Sequence, residues 1–206
     1  MNTFFTSDPH YFHKNISGSK VSSWKSGYRN FDDQYEMSKE LVKVINQTVK
    51  YDDILYCLGD WSFAGIENIW NFRKQLECQT IHLILGNHDN HIRNNKILPN
   101  VDGNSEFRAK DAFTSVHESL ILNDMGGYTF YLNHYPTVDW YEKKKGSIML
   151  HGHCHGNYNK ENINIRRLDV GLDSAKLILG EFRPFTLNEI INLMKDIELP
   201  KKDHHS

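Results

Sequence analysis

The 206-residue chain sets 24 Lys and Arg against 26 Asp and Glu, a formal net charge of −2, so it has no global electrostatic attraction to nucleic acid or anionic membrane. Its length suits one domain with a substantial core, expected over residues 1–199 with a polar tail at 200–206. No apolar run reaches the roughly 18 residues of a membrane-spanning helix, and the three widely spaced cysteines (Cys57, Cys78, Cys154) fit a reducing, cytoplasmic setting better than a disulfide framework.

Thr3 to Ser7 reads as a short apolar strand broken by Asp8-Pro9, and no basic stretch precedes it, so the opening is not a signal peptide. Residues 11–30 are mixed, polar and aromatic, and read as a long loop with at most one helical turn. Asp32 or Asp33 caps a helix to about Val49, with Met37, Leu41, Val44, Ile45 and Val49 at spacings of three and four. Ile54 to Leu58 is a buried-type strand closed by Gly59-Asp60. Helical spacing returns from Ile66 to Leu76 through Ile69, Trp70 and Phe72. Ile81 to Leu85 is a second buried strand, closed by Gly86-Asn87. Strands alternating with helices predict parallel pairing.

The second half differs. Phe113–Val116, Leu120–Leu122, Tyr128–Asn133, Ile148–His151 and Ile163–Val170 are short strands in an antiparallel or mixed arrangement. Thr186-Leu187-Asn188-Glu189 is a capping-box pattern opening a last helix to about Ile197. The sum is a layered α/β domain, a fold that presents ligands at the carboxyl ends of its strands.

Clusters of Asp, Asn and His stand at five expected strand ends: Asp8 and His10, Asp60, Asn87 and His88, His134, then His153 and His155. Carboxylate, imidazole and amide oxygen form a ligand set for paired divalent metals, and such pairs cleave phosphate esters. In extended chain, residues two apart point the same way, which aligns Asp8 with His10 and His153 with His155. Cys154 then points away and reads as packing rather than as a zinc ligand. Asp60 and Asn87 each follow a glycine, which lets the backbone turn sharply out of a strand.

In order and type these blocks resemble the calcineurin-like metallophosphoesterase family: D-x-H, G-D, G-N-H-[DE], a lone His, then G-H-x-H. Here they stand as Asp8-Pro9-His10, Gly59-Asp60, Gly86-Asn87-His88-Asp89, Asn133-His134-Tyr135-Pro136 and Gly152-His153-Cys154-His155. SDPHYFHKNI further resembles the first block of a bacterial and phage subgroup, with Pro9 in place of a small polar residue. The resemblance implies a four-layer fold, a mixed β-sandwich flanked by helices. It implies that Asp8, His10 and His155 hold one metal, that Asn87, His134 and His153 hold the other, and that Asp60 bridges them. The metals would be two divalent ions, manganese first, with iron, zinc or nickel as alternatives. Two cations roughly 3.5–4 Å apart would neutralise a phosphodiester and hold a bridging hydroxide in line for attack. His88 would serve the leaving alkoxide. Asp89 would either orient the His88 imidazole or cap the following helix.

His13, Lys14 and Arg29 lie in or beside the loop over the site and are candidates for substrate contact, Arg29 for bidentate phosphate binding. The plainer reading is that Lys14 is solvated and His13 packs locally. Tyr11, Phe12, Trp24 and Tyr28 could stack on a base or pack the loop. His82, His91 and His117 read as structural or surface residues, His151 as a neighbour behind the ligands, and Asp169 and Asp173 as turn or cap residues. The expected activity is phosphodiester hydrolysis of a small or nucleotide-type substrate, with a nucleic-acid end also open. The alternatives are a phosphomonoesterase or nucleotide phosphatase, a metal-free interaction scaffold on the same fold, and a structural zinc protein built on HGHCH.

Overall fold

The computed structural model describes residues 1–18, 20, 29–99, 101, 103–158 and 165–199, and the statements below concern these. In chain order, strand β1 spans Thr3–Thr6, helix α1 Lys14–Ser17, α2 Gln34–Thr48, β2 Ile54–Cys57, α3 Glu67–Arg73, β3 Thr80–Ile84 and α4 Asn90–Arg93. Then follow β4 Ser115–His117, β5 Ser119–Met125, β6 Tyr128–Asn133, β7 Ile148–His151, β8 Arg167–Asp169, α5 Leu172–Leu179, β9 Phe185–Thr186 and α6 Leu187–Met194. No helix among these residues is long and apolar enough to cross a membrane.

Local chemistry explains the main boundaries. The Asp33 carboxylate accepts hydrogen bonds from the Tyr35 and Glu36 amides and starts α2, as an N-cap should. Thr186 and Glu189 satisfy each other's backbone amides at the start of α6. The expected last helix ends three residues early, at Met194, and the expected strand at Ile163–Val170 is described only over Arg167–Asp169.

The strands form two sheets, ordered β4-β3-β2-β1-β9 and β5-β6-β7-β8. In the first, β1, β2, β3 and β4 are parallel and only β9 runs against its neighbour. In the second, β5 and β6 form an antiparallel pair while β6, β7 and β8 are parallel. Alternating side chains of the first sheet serve two cores. Phe4, Leu55 and Leu83 pack with Met37, Leu41, Ile45 and Phe72 from the helices, whereas Phe5, Tyr56 and Ile84 pack with Phe130, Leu132, Ile148 and Leu150 of the second sheet. Burial of both faces is why these strands read as unbroken apolar runs rather than as alternating ones. The two mixed sheets flanked by helices match the architecture that the motif resemblance implies. The loops after β1, β2 and β3 of the first sheet and after β6 and β7 of the second meet at one edge of the sandwich.

Candidate metal centre

Five loops leave that edge, and those after β1, β2 and β7 have unusual backbones. Asp8, His10, Asp60, His153 and His155 all have positive φ, between 48° and 68°. Non-glycine residues rarely adopt this region, and clusters of them mark functional sites. The extended-chain reading of Asp8/His10 and His153/His155 is therefore corrected: each pair converges because both members sit in tight left-handed turns. The turns are braced by the bonds Asp8 N–H to Gly59 O and His10 N–H to Asp60 O, each 3.0 Å, which continue the β1–β2 pairing past the strands. The glycines of the motifs make room. A Cβ on Gly152 would fall on Ser7 Oγ and Asp8 Oδ2, and one on Gly86 would fall on Asp60 Oδ1. Gly59 has a φ of +100° as well as no space for a side chain.

These turns gather two overlapping sets of ligand atoms able to hold a metal ion, Asp8/His10/His155 and Asp8/Asp60/His134, all buried. His10 Nε2 lies 3.6 Å from both Asp8 Oδ1 and Asp60 Oδ2, and His134 Nε2 lies 3.7 Å from Asp60 Oδ2. His155 Nε2 is 3.9 Å from Asp8 Oδ1. These gaps are too long for hydrogen bonds and match atoms sharing one ion at about 2.0–2.2 Å each. Asp8 Oδ1 and both His10 nitrogens are buried without a hydrogen-bond partner, a costly condition unless something else satisfies them. The donor set therefore fits divalent metal. Cys154 is in neither set.

Asn87 and His153 complete the rim. Asn87 Oδ1 lies 3.0 Å from His134 Nε2 and 3.0 Å from His153 Nδ1. The far nitrogens are held from behind: His134 Nδ1 is 2.7 Å from the Leu58 carbonyl, and His155 Nδ1 is 2.7 Å from Asp173 Oδ2. Such partners fix the tautomer and leave Nε2 free to face an ion. Asp8 Oδ2 accepts the His153 amide at 2.9 Å, so Oδ1 is the atom presented to the centre.

The electrostatics follow from this crowding. Burial lowers His10 to a pKa of about 3 in spite of the neighbouring Asp8, so its imidazole is neutral and can donate a lone pair. Burial and the adjacent Asp8 and Asp89 carboxylates raise Asp60 to about 7, against the pull of His134. Burial would raise Asp8 as well, but contact with His10 and the charges of His155, His134 and His10 hold it well below the usual carboxylate range. Carboxylates packed in this way call for compensating positive charge.

Two sequence expectations are revised. Arg29 is buried and fully engaged: it forms 3.0 Å bonds to both oxygens of Asp173 and donates to the carbonyls of Pro9 and Asp8. It clamps the Asp8–His10 turn and the carboxylate behind His155, so it cannot reach a substrate phosphate. Asp89 neither supports the His88 ring nor caps α4; its oxygens accept the amides of Asp60, Trp61 and Gly86 at 2.8–2.9 Å. That carboxylate shapes the Asp60 turn. His88 itself is exposed at the mouth, with its amide bonded to Asp60 Oδ1 at 2.9 Å. Its ring lies 4.7 Å from that of Phe63, and burial of part of the imidazole lowers its pKa. His13 stacks on Phe63 at 3.7 Å, and Lys14 is exposed beside it. Trp24 and Tyr28 lie outside the described residues.

From sequence alone Asp173 reads as a turn or cap residue, and Phe63 is not singled out. Asp173 lies 18 residues from His155 and 144 from Arg29, so no local pattern links them; its one signal is a second acid two residues beyond Gly171 in DVGLD. Phe63 lies three residues beyond Asp60 in an unremarkable loop.

Comparison with known proteins places the chain among its relatives. The chain is 29% identical to the gene 66 protein of Mycobacterium phage L5, over 84% of this chain and 87% of that protein. It is 28% identical to an uncharacterized protein of Methanocaldococcus jannaschii, over 93% and 90% of the two chains. A protein of unknown function from Aquifex aeolicus shares the fold with a TM-score of 0.63 at 19% identity, covering 93% of this chain and 98% of that one. The phage relative fits the bacterial and phage subgroup suggested by the first motif. The calcineurin-like phosphoesterase profile matches residues 1–191. The chain belongs to the calcineurin-like phosphoesterase family, whose metal-dependent hydrolysis of phosphoesters its ligand clusters are equipped to perform.

Proposed function

We propose that the protein is a dinuclear phosphodiesterase acting in the cytoplasm on a small, nucleotide-type phosphoester. In this reading Asp8, His10 and His155 would hold one ion, Asn87, His134 and His153 would hold the second, and Asp60 would serve both. The observation that carries it is the position of Asp60 Oδ2, within 3.7 Å of a histidine nitrogen on either side, in a pit where Asp8 Oδ1 and His10 have no hydrogen-bond partner. Oxygen and imidazole donors without thiolate suit manganese, iron, zinc or nickel, and manganese is the ion to try first. Bound divalent ions would supply positive charge to the phosphate oxygens and lower the pKa of water at the site.

The chain's own groups do the rest. Asp173 and the Leu58 carbonyl hold His155 and His134 with Nε2 forward, so no reorientation is needed on binding. His88, exposed at the mouth, hands a ring proton to the departing oxygen.

The test is hydrolysis of bis(p-nitrophenyl) phosphate by protein stripped of metal and then given manganese. Activity that returns with about two ions per chain is the expected result. Two bound ions with hydrolysis of monoesters only would replace the diesterase by a phosphatase. Failure to bind any ion would overturn the catalytic reading.

A further inference from the structure

Next to the metal centre lies a hollow of about 390 Å³, lined chiefly by Phe12, His13, Lys14, Asn15, Gln34 and Phe63. Its size falls in the range of small-ligand pockets. It joins the centre through one ring: Phe63 lies 5.1 Å from His10, 4.7 Å from His88 and 3.7 Å from His13, the last pair being parallel within 5°. The remaining walls are held in place at some cost. Phe12 has a φ of 66°, its amide bonds to Ser38 Oγ at 3.0 Å, and its ring meets Tyr35 edge-on at 4.8 Å. Neighbouring Ala64 has a φ of 61°. The Tyr11–Ser62 bridge and the Phe63 N–H to Tyr11 O bond of 2.8 Å tie the two lining loops together.

We infer that this hollow is a subsite for the base of a nucleotide whose phosphate occupies the metal centre, an inference that rests on the phosphoesterase reading. The walls are aromatic, and a flat heteroaromatic ring can stack on them regardless of its identity. The amides of Asn15 and Gln34 at the rim carry both donors and acceptors, as base edges do. No carboxylate lines the hollow, and Lys14 adds positive charge. A hydrocarbon leaving group would use none of the rim chemistry. Phe12 and Phe63 are the specificity-determining residues, and Phe12 is the better probe because its ring contacts none of the candidate ligands.

The experiment is calorimetric titration of the metal-loaded full chain with two non-hydrolysable probes, the 5′-methylenephosphonate isosteres of adenosine monophosphate and of ribose 5-phosphate. The adenosine probe should bind at least about tenfold more tightly. Phe12→Leu, which keeps apolar volume but removes the stacking face, should bring the two affinities together. Gln34→Ala, at the rim, should shrink the gap and gives a second readout if the Phe12 variant melts early. Equal affinities in the unaltered protein, or a preference that neither variant reduces, overturns the inference. Hydrolysis is measured separately. Diester cleavage without a base preference therefore overturns the subsite alone, and a base preference without cleavage overturns the hydrolase reading alone.

Discussion

On one side of the metal centre Asp8, His10 and His155 are all buried, and Asp173 and Arg29 lock His155 from behind. On the other side His134 is buried, but Asn87 is half-buried and His153 is exposed. The first side is a preformed cage, held by the Arg29–Asp173 ion pair and by backbone bonds to the Asp8–His10 turn. The second is a rim, free to admit solvent and substrate. Preorganisation of one half and access to the other are what a hydrolytic centre needs, since ions must stay while substrate and product exchange. The difference predicts unequal metal affinity, tight in the cage and weaker at the rim.

The largest expected effect removes what the two halves share. Asp60→Asn should lower kcat/KM for a diester on the order of 10³-fold, the scale seen when one electrostatic group of an active site is lost. Retention of more than a tenth of the activity would end Asp60's role as a bridge. Next is the lock. Arg29→Met leaves Asp173 buried without its bidentate partner, and breaking such a pair costs about 3 kcal/mol. Urea unfolding should show that loss, and Arg29→Met combined with Asp173→Leu should recover part of it. No recovery would mean that the Arg29 bonds to the Asp8 and Pro9 carbonyls matter more than the ion pair.

A smaller effect should separate the halves. His153→Ala, which removes a rim ligand, should weaken only the rim ion, giving a protein that retains one ion after mild dialysis. Loss of both ions together would contradict independent halves. A last test concerns the charge crowding behind the cage. Burial and the nearby Asp8 raise Asp169 to about 7, whereas an unfolded aspartate titrates near 4. Between about pH 4 and pH 7 the folded chain thus keeps a proton that the unfolded chain has released. Stability from this group is full below that window and falls as pH rises through it. The metal-free Asp169→Asn variant lacks this loss, so its stability relative to the unaltered chain should improve with rising pH, by at most about 1.4 kcal/mol per pH unit. A difference that stays flat from pH 4 to pH 7 would show that Asp169 is not protonated in the fold.

Much of this was legible in the residues. The apolar runs at Ile54 and Ile81, each closed by Gly and a polar ligand, announced parallel strands and the turns that follow them. The order of Asp8, His10, Asp60, Asn87, His134, His153 and His155 announced the family, because ligand chemistry tolerates few substitutions at each place. Arg29 and Asp89 were misread for a common reason. A charged residue beside a metal motif resembles a ligand-contacting group in sequence, while its real partners here are backbone groups and a carboxylate far along the chain.

The sequence by itself determined the elements, the donor types and their order, since hydrophobic periodicity, capping residues and motif spacing are local properties. Only the tertiary structure decided that left-handed turns aim the ligands, that Arg29 and Asp173 stand behind them, and that Phe63 links the centre to a second hollow. Those facts depend on which distant segments meet. Contact between residues 144 positions apart is set by the packing of two sheets, which no local pattern encodes.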